Sequence, residues 1–375
     1  MLHKENNKEE KMRKKTKNIE KSGEIDFEEV EIERAFLTSE SIQEKLKWFS
    51  KMKDSDAQMQ YLEFIPENER YKFIGKIKSI LYMADALDGL PDDETKRKTF
   101  NFIAKQFKGR GTDLLHLMSL IKFKAKLPDK LLLIQLNNLN NITEHDMLKV
   151  RNNIDNFDKI KFKINEEDDS RYIEYSFSEM MEILFEIKDL VRDIDRSMPE
   201  ADKFFKIYSR STSWISYDHL CVLKTMMIKK CGGNDEKMKE VRRNPAGLYG
   251  GLVNGKAICV GHALIDKIAL NYIGIKCKCI GGDEFSGDGH AWNQVQIDGK
   301  WYNFDPTWDA EILQINGKYK YMLLNDADFA KSHGRFCLGR TKTEQKCKSR
   351  FDYSKIKNLL PSQIEGLERS ERSNE

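Results

Sequence analysis

The chain has 375 residues, enough for two domains, and carries 64 basic against 61 acidic residues. A net charge of +3 does not favour nucleic acid or an anionic membrane as the main partner. The first residues, M-L-H-K-E-N-N-K, lack the apolar stretch of a secretory signal, and no window is apolar enough to span a bilayer. Seven cysteines in no disulfide-like pattern favour reduced thiols, and we therefore expect a cytoplasmic protein.

The N-terminal third is predicted to be helical. Residues 1–26 form a charged, low-complexity segment that we expect to be disordered. Between residues 27 and 157, apolar residues recur at helical spacing. Pro66, Pro91 and Pro128 are each followed by acidic residues and then by a helical pattern, which indicates repeat-like packing of helices. Such a region is more typical of a scaffold or a partner-binding surface than of a catalytic domain.

A C-terminal α+β domain is predicted to begin at residue 158. Alternating apolar residues at 160–177 predict a pair of strands around an acidic loop, and an amphipathic helix follows from Ser178 to Met198. We expect this domain to end near residue 360 and residues 361–375 to be disordered.

A β-hairpin is predicted at residues 290–307. Two runs rich in Trp, Val, Ile, Tyr and Phe flank Asp298-Gly299, a preferred type I′ turn. That turn fixes three cross-strand pairs, namely Ile297–Lys300, Trp292–Asp305 and His290–Thr307. His290 and Asp305 would then be diagonal neighbours on one face, about 7–8 Å apart at the backbone and within reach of each other's side chains.

Cys259 is predicted to begin a helix. Cys259 follows a glycine-bearing loop at 250–255. The apolar residues after Cys259 have a helical spacing, and Gly274 is the expected C-terminal end of that helix. In the first turn, the helix dipole lowers the pKa of a thiol, and free backbone N–H groups can form an oxyanion hole. Together, Cys259, His290 and Asp305 supply a nucleophile, a base and an orienting group. Taken singly, each of the three residue types is more often structural.

Three segments resemble the transglutaminase-like superfamily of papain-like cysteine enzymes: G-K-A-I-C-V-G-H-A (255–263), G-H-A-W-N-Q-V (289–295) and W-Y-N-F-D-P-T-W-D (301–309). The similarity covers roughly residues 170–335. It implies a helix with Cys259, the nucleophile, packed on an antiparallel sheet with His290, the base, and Asp305, the orienting carboxylate. His262 is a departure, because the family more often has tyrosine there.

The resemblance implies attack of the thiolate on a peptide-like amide of a protein or peptide, through a thioester. Water at a backbone acyl-enzyme gives a protease, water at a glutamine side chain gives a deamidase, and a lysine amine gives a transglutaminase. The same triad serves all three, so the reaction and the substrate stay open. The alternative is an inactive relative that acts as a protein-interaction module, with residues 27–157 binding a partner; the presence of all three chemical groups argues against it.

Four aromatic residues are candidates for substrate binding or for the oxyanion hole: Trp214, Tyr217, Trp292 and Trp308. Core packing is the stronger interpretation of Trp214 and Tyr217, and Trp292 and Trp308 are expected to wall the pocket. His333 is a candidate second imidazole, although a loop histidine is the stronger interpretation. No metal or cofactor is expected, because C-K-C at 277–279 lacks the paired C-x-x-C spacing of a zinc site.

Overall fold

The structure is a computed structural model that describes residues 26–164, 173–283, 289–333 and 345–364. The tails predicted to be disordered lie outside the described residues, except for Asp26 and residues 361–364, and so does the acidic loop at 165–170. Residues 361–363 form a short 3₁₀ turn. The chain forms two compact units, and their described residues are 26–108, 113–128 and 152–155 for the first and 109–112, 129–151, 156–164, 173–283, 289–333 and 345–364 for the second.

The first unit is built from helices. They are α1 (Phe27–Thr38), α2 (Ile42–Lys51), α3 (Ser55–Leu62), α4 (Arg70–Ile74), α5 (Ile80–Asp88), α6 (Asp93–Ala104) and most of α7 (Gly111–Leu120). Short polar side chains accept hydrogen bonds from first-turn N–H groups and thereby fix where helices begin, as Asp92 does for α6. Buried aromatic rings fill the interior, with Phe49 edge-on to Phe73 at 5.3 Å between ring centroids.

The segment after Pro128 departs from the helical pattern predicted there. It makes one 3₁₀ turn and then strand β1 (Leu133–Leu136), which precedes helix α8 (Glu144–Asn153). Strand β1 pairs in parallel with β2 (Lys161–Ile164). Ile134 and Leu136 are buried while Leu133 and Gln135 are exposed, so this apolar run serves a half-buried strand.

The strand pair predicted at 160–177 is present, because β2 pairs antiparallel with β3 (Glu174–Ser176). Ser176 and Glu179 then form a reciprocal capping box that begins α9 (Phe177–Leu190). The next elements in the chain are α10 (Glu200–Trp214), β4 (Ser216–Tyr217), α11 (His219–Lys230), α12 (Asp235–Arg242), α13 (Leu248–Leu252) and β5 (Lys256–Ala257). Strands β4 and β5 pair in parallel, so the end of α10 lies next to the residues that precede Cys259.

A helix packed on a small antiparallel sheet forms the centre of the second unit. The helix is α14 (Cys259–Tyr272), and the sheet contains β6 (Cys277–Asp283), β7 (Gly289–Ile297) and β8 (Lys300–Phe304). Helices α15 (Pro306–Asn316) and α16 (Asp326–Phe329) follow the sheet. The described fold is therefore mixed α and β, with 56% helix and small sheets. Among the described residues, none of the helices is long and apolar enough to cross a membrane.

The hairpin between β7 and β8 has the predicted turn but a shorter ladder. Asp298 and Gly299 have φ values of 48° and 76°, as a type I′ turn requires, and Ile297 pairs with Lys300. The register holds as far as Asn293–Phe304. The predicted pairs Trp292–Asp305 and His290–Thr307 are wrong, because Pro306 cannot donate to a strand ladder and instead begins α15.

Candidate active site

Cys259 is the first residue of α14, as the sequence predicts. The residue before it, Ile258, is extended, and among the described residues no side chain caps this helix. The N–H groups of the first turn therefore remain available to a developing negative charge.

A close backbone approach fixes the start of α14. The N–H of Ile258 donates to the carbonyl oxygen of Pro245 at 2.9 Å. Gly261 lies against the same oxygen, since a Cβ atom at this position would be only 2.3 Å from it. Glycine two residues after Cys259 is thus needed for this contact, which explains the C-x-G spacing in physical terms.

Cys259, His290 and Asp305 form one chain of hydrogen bonds. His290 Nε2 lies 2.8 Å from Asp305 Oδ2. A second side-chain hydrogen bond joins His290 to Cys259, for which Nδ1 is the remaining ring nitrogen. The structure therefore brings the three predicted residues together, although Asp305 does so from the start of α15 and not from a strand.

Asp305 serves the helix and the site at the same time. Its Oδ1 accepts hydrogen bonds from the N–H groups of Thr307 at 2.9 Å and Trp308 at 3.3 Å, and so caps α15. Its Oδ2 faces His290 and also lies 3.1 Å from Nε2 of His333. A single buried carboxylate thus fixes the helix start and the orientation of two imidazole rings.

His333 follows α16 outside any named helix or strand, yet it is buried and forms part of this arrangement, as a second imidazole would. Its ring stacks on Phe329 with 3.7 Å between ring centroids, and its Nδ1 lies 3.0 Å from Ser332 Oγ. The sequence signal for His333 was only its place in the segment 321–333, which resembles the family downstream of Asp305. No spacing rule connects it to a carboxylate 28 residues earlier.

Residues 189–306 match the family model described as the transglutaminase-like superfamily. This part of the chain is a transglutaminase-like domain. The match contains Cys259, His290 and Asp305 but ends before His333. A solved structure titled "Crystal structure of a TGase" is 22% identical over 35% of this chain and 32% of that chain, with a TM-score of 0.28. The chain thus spans about a third of the length of that structure. No curated protein matches this chain.

Opposing influences set the protonation of the thiol in the transglutaminase-like domain. Burial raises the pKa of Cys259, but the hydrogen bond and charge of His290 and the backbone N–H of Ala291 lower it by more. Burial likewise disfavours imidazolium, yet Asp305 and Cys259 raise the pKa of His290 to about 10. A thiolate–imidazolium pair is therefore favoured from the lowered pKa of Cys259 up to about pH 10.

The carboxylate behind the pair stays ionised. Burial raises the pKa of Asp305, but the charge and hydrogen bonds of His290 and His333 hold it well below its usual range. An ionised Asp305 in turn holds a proton on Nε2 of His290 and leaves Nδ1 to exchange a proton with the thiol.

Of the aromatic candidates, Trp308 and Trp292 lie at the imidazole. The half-buried Trp308 stacks on His290 with 5.0 Å between ring centroids and 21° between planes. Trp292 is fully buried, packs with Ile280 and Phe329, and has its ring centroid 6.1 Å from that of His290. These contacts fix the ring and keep water from one side of it.

Trp214 and Tyr217 lie near strand β5, which precedes Cys259. Trp214 ends α10, is 42% exposed, and has the Arg192 guanidinium 5.8 Å from its ring centroid. Tyr217 is half-buried in β4, where it pairs with Ala257, two residues before the thiol. Tyr217 packs against the buried cluster of Cys221, Ala246 and Ile258, as the core-packing interpretation predicts, whereas Trp214 at the end of α10 is too exposed for a core residue.

His290, Asp305 and His333 each offer one ligand atom, and these atoms lie within 4.8 Å of one another, a spacing that a metal ion can use. The hydrogen bonds from both imidazoles to Asp305 Oδ2 account for this spacing without a cation. The expectation of a metal-free site stays a prediction.

Further ionisable groups are buried in the same domain. His262 and Asp266 follow Cys259 on α14, and both are fully buried. Burial lowers the pKa of His262 to about 4 and raises that of Asp266 to about 8, so both are neutral near pH 7. Tyr208 donates to Asp309 Oδ2 at 2.6 Å, and burial raises the pKa of Asp309 to about 7.

Asp266→Asn is expected to reduce the pH dependence of stability. Because burial raises the pKa of Asp266 to about 8, the folded state binds this proton more tightly than the unfolded chain does. Its stabilising contribution is full below the unfolded pKa of about 3.9 and is lost as pH rises through about 8.

Denaturant unfolding between about pH 5 and pH 9 measures this effect. Relative to the parent, the variant should gain stability as pH rises, whereas the exposed control Asp158→Asn should follow the parent. An Asp266→Asn curve parallel to that of the parent across the range contradicts the prediction.

Proposed function

We propose that the transglutaminase-like domain performs cysteine-dependent hydrolysis or acyl transfer at a peptide-like amide. In this proposal Cys259 is the nucleophile, His290 the acid–base group and Asp305 the orienting carboxylate. The observation that carries it is the hydrogen-bonded chain of these three residues, together with the lowered pKa of the thiol. The family is generally cysteine-dependent, which supports this assignment.

The proposed reaction has two halves. The Cys259 thiolate forms a bond to the amide carbonyl carbon, and the carbonyl oxygen takes the negative charge. In this proposal, N–H groups in the first turn of α14 stabilise that charge, and the absence of a side-chain cap on this helix in the described residues supports it. When the C–N bond breaks, Nδ1 of His290 gives its proton to the departing ammonia or amine and a thioester remains. The imidazole then takes a proton from water or an acceptor amine, which attacks the thioester and releases the thiolate.

The aromatic residues divide between two proposed roles. Trp308 and Trp292 hold the His290 ring and exclude water from it, as their ring contacts support. Tyr217 and Trp214 are proposed to contact substrate, because β4 pairs with β5 directly before Cys259 and Trp214 is partly exposed.

Protease, deamidase and protein-glutamine transferase activities all fit this machinery. We propose a protein or peptide as substrate, without a nucleic acid, a membrane or a cofactor, and a role for residues 27–157 in partner selection. The cytoplasmic location stays a prediction from the cysteines. The rival function, an inactive interaction module, is disfavoured by the hydrogen-bonded set of reactive groups.

The domain boundary proposed at residue 158 is tested by truncation. Strand β1 (Leu133–Leu136) pairs with β2, and residues 129–151 belong to the second unit. A chain that begins at residue 158 therefore loses one strand of this sheet. Truncations that begin near residues 129 and 158 should be compared for unfolding and for Cys259 reactivity.

A mass-spectrometric assay tests the function. The full chain is incubated with glutamine-rich proteins, with and without an added primary amine, beside a Cys259→Ala control. Conversion of glutamine to glutamate, amine incorporation or backbone cleavage that requires Cys259 supports the corresponding activity. Identical spectra for parent and Cys259→Ala, across a broad substrate panel, favour the interaction module.

His333→Phe is expected to destabilise the protein while leaving the thiol reactive. Phenylalanine keeps a ring against Phe329 but removes the hydrogen bond to the buried carboxylate of Asp305. A hydrogen bond to a charged group contributes about 1.5–3 kcal/mol, so the free energy of unfolding should fall by about that amount. His333→Gln keeps a donor and should lose less.

Denaturant unfolding at neutral pH and alkylation of Cys259 are measured on both variants. Alkylation should stay fast, because the direct partner of the thiol is His290. Unchanged stability in His333→Phe, or a loss of reactivity as large as that of a His290 variant, contradicts this stabilising role of His333.

A further inference from the structure

Helix α11 exposes an apolar face beside the proposed site. Leu220, Leu223, Met226 and Met227 are between 55% and 64% exposed. Leu220, Leu223 and Met227 have the spacing i, i+3, i+7 and therefore lie on one side of the helix, with Met226 at its border. These four residues are named the α11 apolar face. A cluster of this kind on a folded domain commonly marks an interaction surface.

Helix α11 packs against the domain through the side opposite its apolar face. Cys221 is buried in a cluster with Ala246 and Ile258, against which Val222 packs. Asp218 caps the helix by accepting a hydrogen bond from the N–H of Cys221 at 2.9 Å. The apolar face is therefore displayed by a fixed helix, which reduces the entropy cost of binding a partner.

The N-terminal end of α11 contacts the residues that directly precede the thiol. Ile258, in the cluster beneath α11, immediately precedes Cys259. The N–H of Asp218 donates to the carbonyl of Ala257 at 2.9 Å. At the same end, His219 Nε2 lies 3.1 Å from Glu311 Oε1 of α15, the helix that Asp305 caps. A chain bound along α11 would thus reach the helix starts that carry Cys259 and Asp305.

The charges on α11 itself have one sign, whereas α12, which packs against it, carries charges of both signs. Helix α11 contains Lys224, Lys229 and Lys230, all exposed, and its sequence has no acidic residue. Lys224 lies one turn from Leu220, and Lys230 lies one turn from Met227, so lysines border the apolar residues. Complementary surface on a partner would therefore combine apolar residues with carboxylates. The methionines can adjust to partners of different shape.

We propose that the α11 apolar face docks an acidic, amphipathic segment of a protein substrate and presents a neighbouring amide to Cys259. The substrate role rests on the proposed function, whereas the binding itself does not. A protein segment is favoured over a lipid surface by the position of the face beside the thiol.

A binding assay with defined peptides tests the proposal on the full chain. The probe is a fluorescent peptide of about 20 residues with leucines at helical i, i+3, i+4, i+7 spacing and glutamates on its other face. It should bind the parent at least about tenfold more tightly than a matched peptide with lysines in place of the glutamates. The double variant Leu223→Glu/Met227→Glu should weaken binding about tenfold or more. Phe185→Glu, at a 62% exposed position on α9, is the matched control and should bind like the parent.

Charge reversal separates the ionic contribution from the apolar one. Lys224→Glu/Lys230→Glu leaves all four apolar residues in place and should reverse the preference toward the lysine peptide. Equal binding of the two peptides by the parent, or parent-like binding by Leu223→Glu/Met227→Glu, overturns the proposal. Tighter parent binding to phosphatidylserine vesicles than to the glutamate peptide assigns the face to a membrane, and dimerisation that these substitutions abolish assigns it to a second copy. Either result also overturns it.

Alkylation of Cys259 is measured on the same variants. Fast alkylation together with failed peptide binding removes the docking proposal and leaves the proposed function intact. Specific peptide binding by a protein whose Cys259 is inert supports binding at the α11 apolar face and contradicts the proposed function.

Discussion

Replacing His290 with alanine is expected to slow alkylation of Cys259 at pH 6 by about tenfold or more. Burial raises the pKa of this thiol, and the hydrogen bond and charge of His290 are the largest influences that lower it. An ordinary thiol with a pKa of about 8.5 is only about 0.3% ionised at pH 6. Without His290, the backbone N–H of Ala291 is the remaining influence that lowers the pKa, and burial outweighs it, so the thiolate fraction should fall toward that level.

A pH series of iodoacetamide labelling with peptide mapping measures this effect. In the parent, the rate should fall as pH drops through the lowered pKa of Cys259, because the thiolate is then protonated. As pH rises through about 10, His290 loses its proton and the ion pair is lost. The other six cysteines serve as internal references.

The exposed His145 on α8 provides a matched control, since His145→Ala should leave the labelling profile unchanged. Two results contradict the assignment of Cys259. One is parent-like labelling in His290→Ala; the other is slower labelling of Cys259 than of the exposed Cys231 in the parent.

Asp305→Asn and Asp305→Ala are expected to impair the site equally but to differ in stability. Both remove the carboxylate that raises the pKa of His290, so labelling of Cys259 at pH 6 should slow in both. If an amide substrate is found, turnover should fall by about 10⁴-fold, because the wrong imidazole tautomer is then favoured. Asparagine can still accept hydrogen bonds from Thr307 and Trp308, whereas alanine cannot cap α15.

The lost cap should cost Asp305→Ala about 0.5–2 kcal/mol in the free energy of unfolding relative to Asp305→Asn. Unfolding and labelling are measured on both proteins. Asp92→Ala, which removes the cap of α6 in the first unit, should lose stability without a change in labelling. Equal stability of the two Asp305 variants contradicts the capping role, and parent-like labelling of Asp305→Asn contradicts the orienting role.

Local sequence was enough to predict the parts of the site that short-range geometry controls. The glycine loop, the helical spacing and Gly274 predicted a helix that begins at Cys259, and α14 has that start. Gly274 has a φ of 87°, a conformation that glycine adopts without strain. The Asp298-Gly299 turn predicted the hairpin, because both positions need positive φ.

Only the tertiary structure decided how the carboxylate reaches the imidazole. The predicted register carried Asp305 along a strand, but Pro306 ends the ladder and Asp305 becomes a helix cap whose second oxygen faces His290. His333 joins the same oxygen from a distant segment. Strand β1 likewise depends on a parallel partner, β2, 28 residues away in the register Leu133–Lys161. Turns and helix starts depend on neighbouring residues, whereas a contact between distant segments depends on the packing of the whole domain, which the local pattern does not contain.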